Sequence, residues 1–188
     1  MRAFFLSIIK LGWDGKTAHP FGEAKPSEGP KIYGGLMGSL QPPSRLSCWN
    51  YLIESVDRVV DGDTIDITIA LGFDLWTKQR VRIAGVDTPE KRTRDAQEKE
   101  LGIDATNWLK RKLNEAKTEK KPLYVRTELG SGSTGKYGRL IGWLYVNDSP
   151  ISINEEMIAE GYAWAYDGGS KNKNFEELKF IRRQKGTL

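Results

Sequence analysis

Residues 64–71 of this chain read Thr-Ile-Asp-Ile-Thr-Ile-Ala-Leu, so that Ile65, Ile67, Ile69 and Leu71 alternate with Thr64, Asp66, Thr68 and Ala70. A period of two puts every second side chain on one face, which only a half-buried strand can satisfy. Asp61-Gly62 stands just before it, a two-residue turn signal, and residues 51–60 upstream are rich in β-branched and aromatic side chains. Together they predict a β-hairpin. A third extended stretch follows over residues 76–86.

The period then changes. Over residues 95–116, Leu101, Ala105, Trp108, Leu109, Leu113 and Ala116 fall on one face of a helix. Residues 123–129 and 139–146 return to strand character. Asn154 is expected to cap a short helix running to Ala159 and ended by Gly161. A last helix is expected over residues 174–184, with Phe175, Leu178 and Ile181 opposite Lys179, Arg182 and Arg183. Trp49, Trp76, Trp108 and Trp143 are read as packing residues. Three strands, a helix, two strands and two helices predict a mainly β, α+β domain. A five-stranded antiparallel barrel with packed helices suits that order, and closure removes exposed sheet edges.

Residues 1–48 differ from the rest: they are dense in Gly and Pro, show no sustained period, and read as a flexible or loosely docked extension to a domain over residues 49–188. The opening MRAFFLSIIK has the look of a signal peptide, but Lys10 interrupts its apolar run and no small-x-small cleavage pattern follows. This balance favours a cytoplasmic location over secretion. No apolar stretch approaches the roughly 20 residues of a membrane-spanning helix.

Composition narrows the chemistry. One cysteine, Cys48, excludes an intrachain disulfide, and with His19 as the single histidine no thiolate–imidazole zinc cage can form. A lone histidine also argues against a Ser-His-Asp hydrolase. Carboxylates, arginines and an oxygen-loving metal remain. The net charge of +4 invites a polyanionic partner, yet residues 49–188 hold 23 basic and 22 acidic side chains. Such a partner must therefore be held by local clusters.

One motif misleads. Residues 130–136 read Gly-Ser-Gly-Ser-Thr-Gly-Lys, the pattern of a phosphate-binding loop. That loop needs Ser or Thr next and a helix behind it; here Tyr137 follows and then a strand, so a hairpin loop is expected.

Three polar clusters interrupt the strands: residues 60–64 (Val-Asp-Gly-Asp-Thr), residues 82–90 from Arg82 to Glu90, and residues 136–139 (Lys-Tyr-Gly-Arg). Taken singly, each is an ordinary turn. Taken together, Asp63, Asp87 and Glu90 lie at the ends of neighbouring strands, where a small barrel can gather them. Converging carboxylates repel unless a hard cation neutralises them. Arg82 and Arg139 project from strands whose alternate positions are apolar, and two guanidiniums beside such a cation suit a phosphodiester.

The segments VVDGDT, RVRIAGVDTPE, GKYGRLIGWLYV and NEEMIAEGYAWAY resemble, in order and spacing, the successive signatures of the staphylococcal nuclease (thermonuclease-like, micrococcal nuclease) family. The resemblance covers residues 51–188. It implies an OB-type five-stranded barrel with three helices, acting as a Ca²⁺-dependent nuclease on DNA and RNA and leaving 3′-phosphorylated ends. Asp63 and Asp87 would ligate Ca²⁺ through their carboxylates and Thr88 through its backbone carbonyl. Glu90 would position the attacking water and act as general base, while Arg82 and Arg139 clamp the scissile phosphate. Lys136 and Tyr137 match contacts to the nucleotide terminus. Asp61 is expected to organise the ligand loop. Where the family often offers two tyrosines to the base, this chain reads Tyr162-Ala-Trp164-Ala-Tyr166, leaving Tyr166 as the substrate-binding partner. DNA and RNA would be the partners of a monomer that needs no membrane and no obligate protein. The rival reading is a catalytically silent OB module that binds nucleic acid or protein, which would be expected to lose one of the five site residues Asp63, Arg82, Asp87, Glu90 and Arg139.

Overall fold

The computed structural model describes residues 48–128 and 139–188. The extension expected over residues 1–48 lies outside them but for Cys48, as do the loop at 130–138 and with it Lys136 and Tyr137.

Strand β1 (Cys48–Asp61) pairs antiparallel with β2 (Thr64–Gly72), which pairs antiparallel with β3 (Leu75–Ile83). The first turn falls one residue later than the Asp-Gly signal suggests: Asp61 faces Thr64, and Gly62-Asp63 form the loop. Gly62 is required there for room. A Cβ on it would stand 2.9 Å from the Thr88 hydroxyl oxygen and 3.1 Å from Ala105 Cβ. The turn thus packs directly on the segment carrying Asp87 and Glu90.

Two-residue β4 (Val86–Asp87) follows a turn, and then comes helix α1 (Ala96–Thr118), N-capped by Asp95, whose carboxylate accepts from the Gln97 and Glu98 amides. The six apolar positions read from its period are all buried. The chain returns as β5 (Leu123–Glu128) and β6 (Leu140–Val146). The order β1-β2-β3-β6-β5 closes as a barrel, the OB-type α+β arrangement expected. Four seams are antiparallel. The β3–β6 seam is parallel, pairing Val81 with Leu140 and Arg82 with Ile141, because β6 reaches β3 after the α1 crossover rather than through a hairpin.

Alternation along β6 serves two cores. Leu140, Leu144 and Val146 face the barrel interior with Ile65, Ile67, Val81 and Val125, while Ile141, Trp143 and Tyr145 face outward over Ala84 and Tyr124. Each fully buried aliphatic side chain contributes about 1.5–3 kcal/mol, and α1 seals the barrel with Ala105, Leu109 and Leu113.

Helix α2 (Ile153–Ala159) is capped by Ser152 in a reciprocal box with Glu155, not by Asn154. Asn154 sits inside the helix, wholly buried, accepting from the Leu144 amide (3.0 Å) and donating to the Ala84 carbonyl (2.7 Å). A second ladder, absent from the sequence expectation, pairs β4 with β7 (Trp164–Ala165): Val86 faces Ala165 and Asp87 faces Trp164. Helix α3 (Phe175–Gln184) buries Leu178 as expected. Arg182 is not on its wet face: it is buried, pairs with Asp104 at 2.8 Å and lies over the Tyr162 ring. Trp108 and Trp143 pack as expected, but Trp49 (57% exposed) and Trp76 (55%) lie open. Leu71 is also exposed, at the foot of a β2–β3 turn whose tip is Phe73 and Asp74, both with positive φ.

Candidate active site

One end of the barrel gathers the turn after β1, the end of β3, strand β4 and the residues leading to α1. The Ile83 amide donates to the Asp63 carbonyl at 2.8 Å, which fixes the β1–β2 turn against β3. Thr64 pairs with Arg82 across the same seam, so Asp63 and Arg82 are neighbours by register. Helix α1 comes closer still: a Cβ on Gly102 would lie 2.6 Å from both the Lys91 amide nitrogen and the Pro89 carbonyl oxygen. The backbone on either side of Glu90 is pressed onto the helix without an intervening side chain.

Within this frame Arg82 is the hub. Its guanidinium pairs with the Asp63 carboxylate, donates to the Val86 carbonyl at 2.9 Å and stands 3.6 Å from Asp87 Oδ1. Asp87 is buried, and the same oxygen meets Lys171 Nζ at 3.1 Å. Lys171 reaches Glu90 Oε1 at 3.1 Å as well. The result is a chain of alternating charge, Asp63–Arg82–Asp87–Lys171–Glu90. Three carboxylates share one neighbourhood, interleaved with two cations. Among the described residues no three carboxylates close on a single point.

Arg139 immediately precedes β6. Leu140 is opposite Val81 and Ile141 opposite Arg82, and side chains alternate along a strand. The register therefore puts Arg139 on the Arg82 side of the seam, half-buried. Thr88 is buried with its side chain against Gly62. Tyr166 is tied down at both ends: its amide donates to the Gly85 carbonyl at 2.9 Å and its hydroxyl to the Gly169 carbonyl at 3.1 Å. Trp164 is buried, its ring tilted against Phe175. Asp61 holds the loop after Glu90, at 3.4 Å from Lys91 Nζ and 3.2 Å from Arg92, while Lys91 also donates to the Val60 carbonyl.

Lys171 went unnoticed in the sequence. It stands in a polar run, Ser-Lys-Asn-Lys-Asn, that carries no motif. The β4–β7 ladder brings this run over Asp87, and only the closed fold shows it.

The electrostatics follow from burial and neighbours. Burial pushes the Asp63 carboxyl above its ordinary value of 3.8; Arg82 and the Thr64 hydroxyl work against this, and the Asp87 and Glu90 charges add to it. For Lys171, burial opposes the charged form, but hydrogen bonds and attraction from Asp87 and Glu90 prevail and hold its pKa above the usual lysine range. The donor chemistry of this neighbourhood is of the kind a hard divalent cation takes: the side-chain ligands available from Asp63, Asp87 and Glu90 are all carboxylate oxygens.

The folded state holds the Asp63 proton more tightly than the unfolded chain, so stability falls as pH rises from the ordinary value of 3.8 through the raised one. Above that window the buried carboxylate costs its full amount. Asp63→Asn is therefore expected to melt higher than the parent at neutral pH in chelator, by about 2–4 °C for each kcal/mol relieved. The gap should shrink as pH falls into the carboxylate range. Thermal melts across pH measure this, and a variant melting lower than the parent at neutral pH would contradict it.

The family model described as "Staphylococcal nuclease homologue" matches residues 80–185. The chain belongs to the staphylococcal nuclease family. It is 31% identical over 139 residues to a thermonuclease of Staphylococcus hyicus, covering 74% of each chain. It is 34% identical over 110 residues to a thermonuclease of Staphylococcus intermedius, covering 58% of this chain and 57% of that protein. It is also 32% identical over 116 residues to endonuclease YhcR of Bacillus subtilis (strain 168), covering 59% of this chain but spanning only 9% of that protein.

Proposed function

We propose that the protein is a calcium-dependent nuclease that hydrolyses phosphodiester bonds of DNA and RNA and leaves 3′-phosphorylated ends. The observation carrying this reading is the Asp63–Arg82–Asp87–Lys171–Glu90 chain of charge at one end of the barrel. It supports the reading because hydrolysis of a phosphodiester needs positive charge beside the phosphoryl oxygens and a carboxylate free to handle water.

Asp63 and Asp87 would hold the cation through their carboxylates and Thr88 through its carbonyl. Bound there, Ca²⁺ supplies charge stabilisation to the phosphoryl oxygens and a template for the attacking water. Glu90, the most exposed of the three carboxylates (57% of its side chain), orients that water and accepts its proton at a carboxylate oxygen. Arg82, fixed by Asp63 and the Val86 carbonyl, presents its guanidinium to a phosphate oxygen as a fork. Arg139 adds the second guanidinium from the neighbouring strand and stabilises charge on the departing 5′-oxygen. Lys136, Tyr137 and Tyr166 would contact the nucleotide around the scissile bond.

The decisive experiment digests plasmid DNA and RNA with the full chain in Ca²⁺, in Mg²⁺ and in EDTA, with end-group analysis of the fragments. Cleavage of both substrates in Ca²⁺, loss in EDTA and 3′-phosphate termini are expected. Undiminished cleavage in EDTA, or 5′-phosphate termini, would overturn the assignment.

A further inference from the structure

Between β1 and the C-terminal half of α1 runs a groove of about 510 Å³. Its floor is apolar, with Val56, Val59, Leu113 and Pro122 among the lining residues, and five cations border it against two carboxylates. In a domain almost balanced in charge, that is a local excess. The Asp57 carboxylate, held by the Ser55 and Thr68 hydroxyls at 2.7 and 2.9 Å, keeps its charge, and Lys121 is paired with Glu119 at 2.6 Å, so Arg58, Lys110, Lys117 and Lys120 carry the excess.

The lysines bordering this groove differ from their neighbours on α1. Arg111 pairs with Glu115, and Lys112 with Glu156, both away from the groove. Lys110, Lys117 and Lys120 form no ion pair among the described residues. Lys110 and Lys117 are seven residues apart, on one helix face with Leu113 between them. Lys120 follows the helix end with φ of 53°, a left-handed conformation that burdens any residue with a Cβ and that glycine adopts freely. A lysine stands where the backbone favours glycine, and strain of this kind points toward function.

The groove also has a direction. Val59 is the last β1 residue to line it, and Asp61, two residues further along the same strand, opens the turn that carries Asp63. From there the lining follows α1 away from the active site, with Lys110 and Lys117 about 10 Å apart along the helix axis and Lys120 just beyond its end.

We infer that this groove is a docking track for single-stranded nucleic acid leaving the active site, with phosphates on Lys110, Lys117 and Lys120 and base faces over the apolar floor. The inference rests on the nuclease reading for its occupant. Its basis is charge complementarity and continuity with the site; the floor is aliphatic rather than aromatic, so it would give unpaired bases apolar contact, which a duplex hides, in place of ring stacking.

Fluorescence anisotropy of a labelled oligothymidylate of about twenty nucleotides, in EDTA so that nothing is cleaved, tests it across salt concentration. Replacing Lys110, Lys117 and Lys120 together by glutamine should weaken binding by roughly 10-fold and lower the slope of log affinity against log salt by about two. Lys120→Gly is the control for folding: it should melt no lower than the parent yet bind more weakly. Unchanged affinity and slope in the triple variant would overturn the track. So would polyglutamate of equal length binding as tightly and losing affinity equally in the triple variant, which would mark a surface for acidic polypeptide. If lysine replacement weakens oligonucleotide binding while the parent cleaves nothing in Ca²⁺, the nuclease reading falls alone. If the parent cleaves and the variant binds as before, the groove falls alone.

Discussion

Glu90→Ser and Arg139→Gly should each slow phosphodiester hydrolysis by roughly 10²–10⁴. The two losses have different origins. Among the described residues Glu90 meets Lys171 alone in an ion pair, and it is mostly solvent-exposed, so a serine there should leave the fold untouched while removing the carboxylate proposed to handle water. Arg139 enters on the Arg82 side of the parallel seam, where its guanidinium is proposed to meet the charge that grows as the ester bond breaks. Glycine removes that charge stabilisation, and water is a poor substitute in a partly buried position. In both variants the fall should appear in kcat more than in KM, because the interactions lost are those made in the transition state. Arg82 is a poorer choice for such a test. It holds Asp63 and Asp87 together, so its removal would mix loss of catalysis with loss of architecture. Single-turnover rates, read beside thermal melts, separate the two. Either variant cutting as fast as the parent would remove that residue from its proposed role.

Asn154→Ala is expected to be the most destabilising single change outside the apolar core. Its side chain is fully buried and satisfies three backbone groups: the Leu144 amide, the Ala84 carbonyl and, more distantly at 3.4 Å, the Gly142 carbonyl. Alanine leaves buried backbone groups without partners, each costing about 1–3 kcal/mol. A total near 3 kcal/mol lowers the melting temperature by about 6–12 °C. The position matters for the site too. Ala84 begins the turn into β4, and β4 carries Asp87, so the same side chain that ties β6 to that turn also steadies a proposed ligand. Calorimetry should show the loss, and an unchanged melting temperature would mean that the buried amide is dispensable.

Some of this protein is legible in the sequence itself. Ile65, Ile67 and Ile69 alternate because a strand has a period of two, and all three are buried. Leu101, Ala105, Trp108, Leu109, Leu113 and Ala116 share a helix face and all are buried. The carboxylates and arginines of the candidate site also stood out, since Asp63, Asp87, Glu90, Arg82 and Arg139 fall in three polar clusters in or at the ends of strand-like segments. Such signals are local: a backbone period or a turn is written within a few consecutive residues.

What the tertiary structure alone decided is who meets whom. Lys171 reaches Glu90 across 81 positions of sequence, Arg182 finds Asp104 across 78, and Asn154 joins Ala84 across 70. Nothing in the neighbouring residues announces these pairings. The same is true of Trp49 and Trp76, aromatic yet exposed, and of the parallel β3–β6 seam. Chain closure sets them: once the barrel closes, a side chain's surroundings come from strands and loops far away in sequence. Local pattern determined the elements and the chemistry at their ends. Burial and long-range pairing determined which of those groups share one electrostatic neighbourhood.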